Sequence, residues 1–194
     1  MNTLVLATSN PGKLQEMQEY FTGVDWQLEL KPQHLNIDET GVTFLENASL
    51  KASQVALYLG EYAIADDSGL SVRALGGAPG IYSARYAPTD ALCIERLLRE
   101  LQDADDRSAE FVCALAVSDP NGKIILTSQK TCEGIILKSP LGENGFGYDP
   151  IFYLPQYGQT FAQMDPDLKS LISHRGRAFA DLLPALIRLQ KSNP

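Results

Sequence analysis

Two adjacent carboxylates, Asp66 and Asp67, end the apolar run Tyr62-Ala63-Ile64-Ala65 and lead into Ser68-Gly69-Leu70. Small apolar residues suit a strand covered on both faces, so this stretch reads as a buried strand delivering acid groups to a binding site. Asp-Asp-Ser-Gly is turn chemistry, which puts the carboxylates at the carboxyl end of that strand, where ligands gather in open α/β sheets. Side chains alternate across a strand, so only one acid is expected to meet a substrate directly. Asp67 is that residue, with Asp66 working from behind. Carboxylates so placed can hold magnesium or take a proton from water; an Asx-turn or a helix cap is the plainer use of the same residues.

Cations and donors lie elsewhere in the chain. Thr8-Ser9-Asn10-Pro11-Gly12-Lys13 follows an apolar strand and opens a helix, with Pro11 near its first position. Free N–H groups, a helix dipole and the Lys13 charge make an anion site there, although the stretch is not a Walker A loop and also reads as an ordinary strand-to-helix turn. Lys51 stands four residues after Asn47 on one face of a helix. Glu143 to Pro150 sets Phe146 and Tyr148 among glycines, a pattern that lets backbone approach a flat ligand while rings cover it. Lys169 follows the cap Asp165-Pro166, and His174-Arg175 before Gly176 is a donor pair for carbonyls or phosphates.

The elements that must position these groups alternate between strand and helix. Thr3 to Ala7 is a buried strand, Leu14, Met17 and Phe21 keep helical spacing, and Trp26, Leu28 and Leu30 alternate as a second strand. A polar loop through Asp38-Glu39-Thr40-Gly41 leads to a capping box at Thr43-Phe44-Leu45-Glu46 and a helix to Leu59, stopped by Gly60. A long ordered loop is expected from Gly76 to Tyr86, then a helix capped by Thr89. Phe111–Val117 and Lys123–Thr127 form a hairpin about Asp119-Pro120-Asn121-Gly122, the second strand running on toward Ile136. A short strand covers Ile151 to Tyr153, and the last helix is expected from Ala178 to Leu189, kinked at Pro184.

With 194 residues, 44% of them hydrophobic, the chain can bury a full core as a single domain over 1–194. A net charge of -8 argues against a general nucleic-acid or membrane surface, so any polyanion needs local cations or a metal. No apolar run approaches the roughly 18 residues of a membrane span, and no signal peptide is evident; a cytoplasmic protein is expected. The widely spaced Cys93, Cys113 and Cys132 suggest core filler rather than a zinc knuckle or disulfide framework.

Taken together, Thr8 to Lys13, Thr43 to Ala48 with Lys51-Ala52, Ala65 to Leu70, Gly76 to Tyr86, Gly145 to Pro150 and Ile172 to Gly176 resemble the inosine triphosphate pyrophosphatase family, over nearly the whole chain and in fixed order. The resemblance implies an elongated α/β fold, a long mixed sheet with flanking helices, two lobes around a nucleotide cleft, and a homodimer. It implies hydrolysis of ITP, dITP or XTP to the monophosphate and pyrophosphate with Mg2+. Thr8, Ser9, Asn10, Pro11, Gly12 and Lys13 then hold phosphates; Asp67 is proton acceptor and metal ligand; Glu39 matches a second metal position. Ser68, Phe146, Gly147, Tyr148, Asp149, Lys169, His174 and Arg175 match nucleotide contacts, with Lys51 beside them. Within that reading the aromatics stack on the base, while His174 and Arg175 offer donors to a 6-keto group. The chain departs from the family pattern at Ser9, where glycine is common, and at Gln163 and Asp167-Leu168, where acids are. A related pyrophosphatase for pyrimidine or modified nucleotides, and a nucleotide sensor without turnover, are the alternatives.

Overall fold

The computed structural model describes residues 3–22 and 24–192, so both ends of the expected 1–194 domain lie outside the described residues. Strands β1 (Thr3–Leu6), β2 (Gln27–Leu30), β3 (Tyr62–Val72), β4 (Ser108–Ser118), β5 (Ile124–Ile136), β6 (Phe152–Leu154) and β7 (Gln159–Thr160) form one sheet in the order β2-β1-β3-β4-β5-β6-β7. It is mixed: β1 pairs in parallel with β2 and β3, while β5, β6 and β7 pair antiparallel. The main helices are α1 (Pro11–Tyr20), α2 (Phe44–Leu59), α3 (Asp90–Glu100), α4 (Pro166–Ile172) and α5 (His174–Ser192). The expected α/β architecture of a mixed sheet with flanking helices is therefore present. No described helix is long and apolar enough to cross a membrane.

Two compact units divide the chain, one from Met1–Asp67, Cys113–Lys130 and Arg175–Pro194, the other from Ser68–Val112 and Thr131–His174. In the first unit the period of two along the strands sorts the core into two faces. Leu4, Leu6, Ile64, Cys113, Leu115 and Val117 pack with Met17 and Phe21 near α1 and with Phe179, Leu182 and Leu186 of α5. Val5, Ala7, Ala63, Ala65, Ala114 and Ala116 pack with Ala48, Ala52, Val55 and Ala56 of α2. Alanine faces alanine across that second interface, so α2 lies close on the sheet. The second unit has its own core, in which Phe111, Phe152 and Phe161 meet Leu97, Leu101 and Ile151.

Helix α2 begins and ends as its sequence dictates: Thr43 Oγ1 accepts the Glu46 N–H at 3.1 Å, and the chain leaves the helix at Gly60. Three expectations are corrected. Strand β3 does not stop at the acids but runs through Asp-Asp-Ser-Gly to Val72, because each carboxylate finds charged partners on its own side of the sheet and the ladder keeps the backbone paired. Residues Gly80–Arg85 form a 3-10 helix rather than a loop, tied to β3 by Ser83 Oγ, which accepts the Leu70 N–H at 2.9 Å. The last helix starts at His174, four residues before Ala178, and continues past Pro184. Both of its first side chains are buried, which anchors a turn that Gly176 would otherwise weaken.

Candidate active site

Alternation along β3 sends its two acids to opposite faces of the first unit. Asp66 shares the parity of Ile64 and faces α1 and α5. Its side chain is completely buried and forms a salt bridge with Lys13, accepts from Arg175 Nε at 3.2 Å, and accepts from the Cys113 thiol at 3.0 Å. Arg175 in turn pairs through Nη1 with Glu16, one helical turn beyond Lys13 on α1. Burial opposes ionisation of Asp66, but Lys13 and Arg175 override it and hold the carboxyl well below the usual carboxylate range. Burial likewise opposes the charge on Arg175, and Asp66 and Glu16 keep it. The Cys113 thiol is pushed up by burial and by Asp66, which leaves it a neutral donor.

Asp67 shares the parity of Ala63 and Ala65 and faces α2. There the Lys51 ammonium lies 3.0 Å from Asp67 Oδ1 and 2.7 Å from Glu39 Oε1. Burial of the Lys51 ammonium opposes its charge, but Asp67 and Glu39 outweigh it and raise the pKa. Asp67 must share that ammonium with Glu39, so burial wins on the acid's side and moves its carboxyl above the usual range. A carboxylate moved toward the working pH is a better proton acceptor. The loop carrying Glu39 is clasped to the start of α2: Asn47 Oδ1 accepts the Gly41 N–H at 2.8 Å, and Glu46 Oε2 accepts the Val42 N–H at 2.7 Å. Gly41 fits so tightly that a Cβ there would stand 2.7 Å from Glu46 Cβ.

At the start of α1, Asn10 Oδ1 caps the helix by accepting the Lys13 N–H at 3.1 Å, Pro11 fills the first turn, and Thr8 Oγ1 accepts the Asn10 N–H at 3.2 Å. Ser9 is exposed, and Gly12 is half-buried beside Lys13. The loop from Thr8 thus ends on a shaped helix N-terminus whose lysine is tied to Asp66.

The second unit holds the remaining sequence-predicted residues. Ser68 is half-buried in β3. Asp149 Oδ2 accepts the Phe146 N–H at 2.9 Å and the Lys169 ammonium at 2.8 Å, folding the 146–149 loop on itself. The Lys169 ammonium also stands 5.2 Å from the Phe146 ring centroid. Asp90 at the start of α3 accepts the Gly147 N–H at 2.8 Å, and buried Tyr148 donates its hydroxyl to the Ser83 carbonyl at 3.0 Å. His174 is buried, its ring stacked on Phe111 at 4.7 Å with an interplanar angle of 9°. Arg175, in the first unit, has two of its three nitrogens engaged by Asp66 and Glu16. That engagement competes with the base-edge role expected of it from sequence.

The sequence does not single out Glu16 or Asp90; it suggests Cys113 as core filler, and Asn47 as a neighbour of Lys51 within the Thr43 to Ala48 run. Glu16 was within reach, since it follows Lys13 by three positions on a helix. Cys113 and Asp90 carry no local signal.

The first unit's acid cluster fits a divalent cation. Asp67 Oδ2 is buried and, among the described residues, has no hydrogen-bond partner, which leaves a carboxylate oxygen in reserve. No group of three or more His, Cys, Asp or Glu side chains converges among the described residues. Magnesium needs only one or two carboxylates, completed by waters and substrate phosphates.

The Ham1 family model matches residues 4–185. The chain is 55% identical to a dITP/XTP pyrophosphatase of Nostoc sp. (strain PCC 7120 / SAG 25.82 / UTEX 2576) over 98% of its length and 97% of that protein's. It is 52% identical to a dITP/XTP pyrophosphatase of Synechocystis sp. (strain ATCC 27184 / PCC 6803 / Kazusa) over 94% of each. Among solved structures, a HAM1 protein from Coxiella burnetii superposes with a TM-score of 0.88 at 42% identity, covering 99% of this chain and all of that one. The Staphylococcus aureus Ham1 protein gives 0.86 at 42% identity, covering 97% and 100%. A family match spanning nearly every residue, with the same fold in its relatives, means that the chain belongs to the Ham1 family.

Proposed function

We propose that this chain hydrolyses noncanonical purine nucleoside triphosphates (ITP, dITP and XTP), releasing the monophosphate and pyrophosphate, with residues 1–194 as one catalytic domain. The observation that carries this reading is the pair of acids on β3, Asp66 against Lys13 and Asp67 against a Lys51 that it shares with Glu39. Lys13 and Arg175 hold Asp66 well below the usual carboxylate range; Asp67 is buried, raised in pKa and holds one oxygen in reserve. The names printed for the relatives from Nostoc and Synechocystis support the substrate class.

Asp67 and Glu39 are the residues to hold magnesium. Bound there, the ion would neutralise phosphate oxygens and lower the pKa of its waters. The chain's own groups do the rest. Lys13, fixed by Asp66 at the α1 N-terminus, and the loop Thr8, Ser9, Asn10, Pro11 and Gly12 receive phosphate oxygens, where backbone N–H groups and a full positive charge meet. Asp67 takes the proton from the attacking water, and Lys51 compensates charge beside it. Ser68, Phe146, Gly147, Tyr148, Asp149, Lys169, His174 and Arg175 are proposed nucleotide contacts: Phe146 as a stacking ring, Lys169 as a cation, and His174 and Arg175 as donors. Most of the acceleration comes from positioning and charge stabilisation, as in phosphoryl transfer generally. A homodimer acting in the cytoplasm, without nucleic acid or membrane, completes the reading, supported by the family resemblance and the net charge of -8.

Steady-state turnover of dITP, XTP, ATP and GTP with magnesium tests the proposal. The expected result is kcat/KM for dITP and XTP above that for ATP by up to about 10⁴-fold, the discrimination that a site built to hydrogen-bond a keto group can reach. Equal turnover of ATP would refute the substrate class, and binding without any turnover would make the protein a sensor.

A further inference from the structure

Lys51 touches both Glu39 and Asp67. Its single ammonium contacts Glu39 Oε1 and Asp67 Oδ1 at 2.7 and 3.0 Å, and these are the two carboxylates assigned above to the metal. We propose that Lys51 is an exchangeable counter-ion. It holds the two carboxylates while no metal is bound and yields them to a divalent cation when a polyphosphate is present to receive its ammonium. The inference rests on the reading of Asp67 and Glu39 as metal ligands.

Charge count and burial favour exchange over simple addition. Glu39, Asp67 and Lys51 together carry one negative charge. A divalent ion added with the ammonium still in place would put two cations against the same pair of carboxylates, in side chains only 8–21% exposed. Like charges this close in a shielded place repel strongly. A released ammonium must therefore pass to another anion, and a substrate's phosphates are such an anion. The framework allows the move. The Glu39 loop is held to α2 by Asn47 and Glu46, and Asp67 is held in the ladder of β3, so neither backbone depends on Lys51 for its place. The Lys51 backbone is fixed by the close alanine contact of α2 with the sheet, while its four-carbon stem stays flexible. The reserve oxygen of Asp67 is the independent sign of a ligand: Lys51 engages Oδ1, and Oδ2 is buried without a partner among the described residues.

The free protein should then bind divalent cations weakly, and nucleotide should tighten that binding. The test uses nucleotide-free protein and Mn2+, with free ion measured by electron paramagnetic resonance. Lys51→Met removes the ammonium and keeps the stem. It is expected to tighten Mn2+ by at least about tenfold, a modest share of one charge–charge interaction in a shielded site. The additional tightening of Mn2+ by a non-hydrolysable α,β-methylene inosine triphosphate is expected to shrink in the same variant. Unchanged or weaker Mn2+ binding by Lys51→Met would overturn the exchange. Glu39→Gln and Asp67→Asn separate the two levels of the argument. If they leave Mn2+ binding to the nucleotide complex intact, the metal reading itself fails; if they weaken it while Lys51→Met gains nothing, only the exchange fails. Wild-type protein labelled with 13C in its lysines gives a check that no variant can spoil. The Lys51 Cε resonance should move when Mg2+ is added with the nucleotide analogue, and a resonance that stays in place would contradict the proposal.

Discussion

Asp66→Asn and Asp67→Asn should separate stability from catalysis at neighbouring positions. Asp66 has no exposed side-chain surface, and it balances Lys13 and Arg175, whose side chains are 13% and 3% exposed. Replacing the carboxylate with an amide of the same shape leaves one uncompensated positive charge in that cluster. Removing one partner of a buried ion pair costs about 3–5 kcal/mol. Glu16 still pairs with Arg175 and the amide oxygen can accept one hydrogen bond, so the lower end, about 3 kcal/mol, applies. For a chain of this size the midpoint should fall by roughly 6–12 °C, from about 2–4 °C per kcal/mol. Asp67 carries a different balance: burial opposes its charge, and Lys51 is shared with Glu39. Asp67→Asn should leave stability within about 1 kcal/mol of wild type, while turnover falls by roughly 10²-fold or more through loss of the proton acceptor. The single tryptophan, Trp26, is buried in the first unit and bonded to the Leu186 carbonyl, so its fluorescence follows the unfolding of the unit that holds both acids. Urea titrations read by Trp26, paired with pyrophosphate release from inosine triphosphate, give both quantities. An Asp66→Asn variant as stable as wild type, or an Asp67→Asn variant less stable than Asp66→Asn, would overturn this division between the two acids.

The same two acids should give opposite pH dependences. The depressed pKa of Asp66 contributes stability that is complete above the ordinary carboxylate range and is lost as pH falls through its lowered value; the raised pKa of Asp67 contributes stability that is complete below the ordinary value and is lost as pH rises through its raised value. As pH falls into the carboxylate range, wild type should therefore gain stability relative to Asp67→Asn; at still lower pH it should lose its advantage over Asp66→Asn. Trp26 titrations across that range check the signs, and parallel curves would contradict them. In the second unit, Gly145 has φ +77° and a Cβ there would collide with the Asp149 carboxylate, so Gly145→Ala should displace Asp149 from Phe146 and Lys169. The expected outcome is a KM for inosine triphosphate raised by about tenfold with kcat less affected, the mark of lost binding; unchanged KM would remove this loop from substrate recognition.

Much of the fold was legible because local signals and burial agree. The period of two along Ala63-Ile64-Ala65-Asp66-Asp67 assigns the acids to opposite faces, and the structure sends one toward α1 and α5 and the other toward α2. Thr43 and Gly60 bound α2 as caps do. The turn expected at Asp-Asp-Ser-Gly was not found, because local turn preference yields to partners that no window around residue 66 contains. Arg175 lies 109 residues away and Cys113 lies 47 away. The same distance hides the fate of Arg175. From sequence it is a donor beside glycine; in the fold its guanidinium is buried between Asp66 and Glu16, and Glu16 is 159 residues from it. Local pattern could show that a charged residue matters, but only tertiary pairing shows to what it is bound.

Hydrolysis of inosine triphosphate in 18O-enriched water, followed by phosphorus NMR, shows which phosphoanhydride bond is cleaved and which phosphorus the water attacks. Attack at the α-phosphorus, with Asp67 as proton acceptor, predicts inosine monophosphate carrying the 18O-induced shift together with unlabelled pyrophosphate. Label in pyrophosphate, or formation of orthophosphate and inosine diphosphate, would contradict attack at the α-phosphorus.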